Sequence, residues 1–109
     1  MVTEDDIERA LDRLRFKAGD AAKAKADRIY MEEFRKTIKA NVMQKHLDKP
    51  VSAQEREAYS SPEYAKHLMV MRDAIEKDEM MRWQMIASQA VIEAWRTQSA
   101  NQRIEVKLG

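Results

Sequence analysis

Glu63 and His67 stand four residues apart, a spacing that puts a carboxylate and an imidazole on one face of a helix. Such a pair can hold one edge of a metal site. Closing the site needs a second His–carboxylate set, and neither that set nor the Glu-x-x-His spacing of di-iron bundles is present. Glu63 and His67 are therefore expected as a surface pair, with no metal and no cofactor. Glu32-Glu33 and Asp78-Glu79 are adjacent acids on helical surfaces, not a positioned acid/base dyad. Ser52, Ser60 and Ser61 are accounted for as helix caps. The chain has no Cys, no Gly-rich phosphate loop and no nucleophile elbow. Enzymatic chemistry is not expected.

The stronger chemical signal is positive charge. Arg13 to Lys49 holds eleven basic residues against five acids, so this stretch carries +6 in a chain whose total is +1. On a helical wheel Lys25, Arg28, Arg35, Lys36 and Lys39 fall within about 100° of one another, roughly opposite Phe34 and Ile38. A strip of this kind can follow a phosphate backbone, each neutralised phosphate releasing counterions. Its competitor is a solvated face laced with pairs such as Glu32–Lys36. Arg96 and Arg103 bracket a second polar stretch, Thr97-Gln98-Ser99-Ala100-Asn101-Gln102, whose groups can satisfy the last helical carbonyls or contact phosphates.

Helices must position these residues. With 109 residues, 36% charged, and only 2 Gly and 2 Pro, the chain is too poor in turn formers for a sandwich, barrel or Gly-looped nucleotide fold. Thr3 followed by Glu4, Asp5 and Asp6 marks a helix start, the hydroxyl capping free N–H groups and the acids meeting the positive end of the helix dipole. Ile7, Leu11, Leu14, Ala18 and Ala21 or Ala22 form a first stripe; Tyr30, Phe34, Ile38 and Val42 form a second, turned around the helix. One helix over about 4–46, continuous through Gly19, is expected. Pro50 breaks it. Ser52-Ala53-Gln54-Glu55 spells a capping box for a short helix over about 53–59, and Ser61-Pro62-Glu63 restarts a second long helix over about 62–99. The result is an all-α single domain over 1–103, a helical hairpin or bundle. Its tail, 104–109, alternates apolar and charged residues and is expected to fray or to pair as a lone strand.

The last helix is apolar over most of its circumference, with only Arg82, Gln89, Glu93 and Arg96 forming a continuous polar strip. A chain this small cannot easily surround such a helix. Self-association is therefore expected, as a dimer with Met81, Met85, Ile92 and Trp95 at the shared interface. No run approaches the ~18 apolar residues of a membrane span, and the acidic start has the wrong sign for a targeting peptide. The expected setting is cytoplasmic.

Two stretches, Pro50–Tyr59 with Ser61-Pro62-Glu63-Tyr64, and Ile92–Arg103, resemble a group of small, uncharacterised, all-helical proteins of bacteriophages and prophages, encoded among replication and recombination genes. The resemblance implies the cytoplasm of a bacterial host and an accessory role in DNA recombination or replication. It also implies a recombination or single-strand-binding protein as a partner. DNA contact through Lys25, Arg28, Arg35, Lys36, Lys39, Arg96 and Arg103 fits that role. The alternative is a module that modulates a host factor through protein contact alone.

Overall fold

Local signals set where each helix begins and ends. In the computed structural model, which describes residues 1–109, α1 spans Glu4–Met43 and is followed by a 3-10 turn at Gln44–His46. Then come α2 at Val51–Tyr59 and α3 at Pro62–Leu108. The fold is all-α, without a strand, and no helix is long and apolar enough to cross a membrane.

The start of α1 is closed by a reciprocal cap. The Asp6 N–H donates to Thr3 Oγ1 at 3.2 Å and the Thr3 N–H donates to Asp6 Oδ2 at 2.9 Å. That N–H, with the Thr3 hydroxyl and Arg9 behind it, holds the Asp6 carboxyl below the usual carboxylate range. The helix passes through Gly19 without interruption, as expected from the helix-forming residues on either side.

Two expectations need correction. Ser52 does not cap α2. That helix starts two residues earlier, with Pro50 in extended geometry (ψ 154°) as N-cap, and the Gln54 side-chain amide donates to the Lys49 carbonyl at 2.8 Å. Glu55, the other half of the supposed capping box, instead faces Lys39. Ser61, by contrast, caps α3 as expected: the Tyr64 N–H donates to its hydroxyl, which donates to the Ala58 carbonyl at 2.7 Å. The second correction concerns the tail. Residues 104–108 are the last turns of α3, neither strand nor frayed end. No breaker follows Ser99, and extending a helix already nucleated adds one hydrogen bond for each residue fixed.

The chain divides into two compact units. The first comprises Met1–Ala22 and Met80–Gly109, and the second Lys23–Glu79. In the first, Ala10 and Ser88 are fully buried, among half-buried Ile7, Leu14, Met85 and Ile92. Val2 is tied to Gln98 twice: its N–H donates to Gln98 Oε1 at 3.2 Å, and Gln98 Nε2 donates to its carbonyl at 3.0 Å. In the second, Ala24, Val42 and Ala58 are buried and the helix segments run antiparallel, Met31 meeting His67 while Arg28 meets Asp78.

The same periodicity organises the helix segments of each unit. In the first the inward positions are Ile7, Ala10, Leu14 and Ala21 on α1 and Met81, Met85, Ser88 and Ile92 on α3. In the second they are Ala24, Arg28 and Met31 on α1 and His67, Met71, Ala74 and Asp78 on α3. Within each unit, steps alternating between three and four residues form a heptad seam, the geometry in which two helices interlock side chains. Leu11 and Ala18, expected on the inward stripe, are exposed instead, because this seam runs through Ala10. The most deeply buried seam positions, Ala10, Ala24 and Ser88, are small, and no large side chain is buried completely.

Ser88 is the anomaly of the seam. Its hydroxyl is fully buried and has no hydrogen-bond partner. A buried hydroxyl without a partner costs about 1–3 kcal/mol, and alanine has nearly the same shape and better helix propensity. Ser88→Ala is therefore expected to raise stability by about 1 kcal/mol, read as a higher urea midpoint at unchanged slope. A lower midpoint would show that the hydroxyl is bonded in solution.

Candidate interaction surfaces

The five cations of the α1 strip all belong to the second unit, and they have different fates. Arg28 lies on the inward seam. Its Nε donates to Glu32 at 2.9 Å, and its Nη1 donates to Asp78 at 3.1 Å and Glu79 at 3.0 Å. Hydrogen bonds to Glu32, Asp78 and Glu79 raise the guanidinium above the usual arginine value, so it stays charged at any accessible pH. With three carboxylates around it, Arg28 is the centre of a structural ion cluster. Lys39 is also engaged. Its Nζ sits 3.4 Å from Glu55 and 4.9 Å from the centre of the Tyr59 ring, and the Tyr59 side chain and the Glu55 charge hold it above the usual lysine value. Tyr59 in turn packs edge-on against Tyr64 at 5.3 Å.

Lys36 pairs with Glu33 at 3.0 Å, but both side chains are well exposed and such a pair is weak. Lys25 and Arg35 are exposed and enter no ion pair. The strip thus reduces to three cations that reach solvent. Arg96 and Arg103 belong to the first unit. Arg96 pairs with Glu93 at 2.9 Å along the helix surface, and Arg103 Nε donates to the Ser99 carbonyl at 3.4 Å.

His67 and Glu63 do not form the surface pair expected of them. His67 is 7% exposed, its Nε2 donates to the Met31 carbonyl at 2.7 Å, and its ring tilts against Phe34 at 5.7 Å. A carbonyl only accepts, so this bond places the proton of the neutral ring on Nε2. The histidine is a satisfied seam residue, and no cluster of three or more metal-binding side chains forms anywhere in the chain.

The four residues expected at a dimer interface lie in the first unit. Met81, Met85 and Ile92 are half-buried on the same seam as Ser88, within the first unit, and Trp95 lies at its edge, 38% exposed. Turned away from that seam is a second face of α3. Met80, Trp83 and Ile86 are 57%, 58% and 37% exposed, and Ala87, Ala90 and Ala94 are exposed beside them. At 100° per residue these six lie within about 120° of the helix circumference, and from Met80 to Thr97 no charge falls inside the arc. The guanidinium of Arg82 lies over the Trp83 ring at 5.4 Å, on the border with the polar strip of Gln89, Glu93 and Arg96. The signal was present in the sequence as a second three-four spacing, offset from the buried one alternately by one and two residues.

No protein-family model matches the chain, and no curated protein or solved structure matches it either.

Proposed function

We propose that this protein is a helical interaction module that works by protein contact through the outward face of α3, in the accessory role that its phage-type resemblance implies. One observation carries the reading: an arc that holds Met80, Trp83 and Ile86, free of charge, stands in solvent on a regular helix. Exposed apolar patches of this kind mark contact sites, and tryptophan is among the residues most enriched at energetic centres of interfaces. The basic strip has the weaker claim, because Arg28 and Lys39 are committed to carboxylates of their own chain.

DNA contact is the second reading, favoured by the exposure of Lys25, Arg35 and Lys36. Anisotropy titrations with labelled single- and double-stranded DNA, at about 50 and about 200 mM salt, separate the two. Three phosphate contacts would give a slope near −3 in log affinity against log salt. For a protein-contact module, binding at the higher salt stays in the ~10⁻⁴ M range of non-specific association. Submicromolar binding lost in the Lys25→Glu, Arg35→Glu, Lys36→Glu triple variant would replace protein contact by DNA contact. Arg28 is left intact in this test because of its structural role.

A further inference from the structure

We propose that the occupant of the α3 face is a second copy of this chain, bound with the two α3 helices antiparallel. This rests on the protein-contact reading and names its partner. Three observations on the molecule lead to it.

The first is area. A folded chain of 12.7 kDa ordinarily exposes about 6,200 Å², whereas this one exposes 8343 Å². The excess of about 2,100 Å² is more than the ~800 Å² that each partner contributes to a standard interface. The apolar residues the chain buries are Ala10, Ala24, Val42 and Ala58, and Met80, Trp83 and Ile86 of this face are among the large apolar side chains left exposed.

The second is shape. Met80, Trp83, Ala87, Ala90, Ala94 and Thr97 continue the alternating steps of three and four residues that pair like helices. The bulky members are at one end and the small ones at the other. In a parallel pair Trp83 would meet Trp83 and wedge the helices apart where the alanines require close approach. In an antiparallel pair centred between Ala87 and Ala90, Trp83 meets Ala94 of the second copy and Met80 meets Thr97, so large fits small throughout.

The third is charge. Arg82 and Glu93 lie on the same flank of this arc. Antiparallel pairing brings like flanks together, setting Glu93 of each copy within axial reach of Arg82 on the other. The pairing is made twice by the two-fold symmetry, with opposite signs facing.

Sedimentation equilibrium of the full chain tests the occupant. The expected mass at tens of micromolar is twice the 12.7 kDa of one chain. Ala90→Arg places a long cation at the centre of the seam from a position already exposed, and it should weaken association by at least about 100-fold while the helical circular dichroism stays unchanged. Gln89→Arg, on the polar strip, should leave the dimer intact. The absence of cysteine makes orientation readable. A mixture of Met80→Cys and Thr97→Cys chains, mildly oxidised, should cross-link 80 to 97 in preference to 80 to 80. Preferential 80-to-80 linkage would overturn the antiparallel arrangement. A single-chain mass for the wild type at about 100 µM would overturn the second copy as occupant, while the DNA titration decides the protein-contact reading on its own.

Discussion

Ala10→Leu should destabilise the protein by about 1–3 kcal/mol, measured by urea unfolding followed at the helical circular-dichroism band. Ala10 is fully buried on the inward seam of α1, one step from Ile7 and one from Leu14. The other fully buried residue of that unit, Ser88, is also small. Ala10 has no exposed surface, so there is no open space beside it for three added carbons. Leucine must therefore push the helices apart or adopt a poor rotamer. The same substitution at exposed Ala18 should stay within about 0.5 kcal/mol of wild type. A change at Ala10 no larger than at Ala18 would mean that the seam is loosely packed.

Arg28→Met should give the largest loss of thermal stability of any single charge removal in the chain. Asp78 is 8% exposed, and Arg28 is the cation facing it; beside it stands Glu79, and Glu32 completes the cluster. Without the guanidinium, three carboxylates face one another and one of them is buried. Each single loss leaves the other charge stranded, so the pair is better judged by a double substitution. Arg28→Met with Asp78→Leu removes both charges at the seam and should recover much of the melting temperature lost in Arg28→Met, since an apolar pair of similar volume packs there without desolvation cost. A double variant no more stable than the single would show that the cluster acts through Glu32 and Glu79, not through Asp78. Lys36→Met is the reference: its pair with Glu33 is exposed, and its loss should be within about 0.5 kcal/mol of neutral.

What the sequence made legible is what is decided locally. The start of α1 at Thr3 and the restart at Ser61-Pro62 were readable because caps act within three or four residues, and Pro50 because a ring that fixes φ needs no partner. The capping box at Ser52 failed because the helix starts directly after Pro50, which puts Ser52 inside the first turn instead of at its cap. Contacts between distant segments were not legible. Arg28 belonged to a plausible solvent strip until Asp78 and Glu79, fifty residues later, were brought beside it. His67 read as a surface residue because its partner, the Met31 carbonyl, is a backbone group that leaves no mark on residue type. That α3 is apolar on two faces could be read directly. Which face its own chain covers could not, because both faces carry the same three-four spacing and only packing chooses between them.

The separations of the long-range contacts also set what each costs in chain entropy. Lys39 and Glu55 are 16 residues apart, Met31 and His67 are 36, Arg28 and Asp78 are 50, and Val2 and Gln98 are 96. Closing the longest of these loops costs about 1.6 kcal/mol more in chain entropy than closing the shortest. Within the second unit the contact nearest the Pro50 turn, Lys39–Glu55, is the cheapest to close, and the Val2–Gln98 clasp of the first unit carries the largest entropic cost of the four.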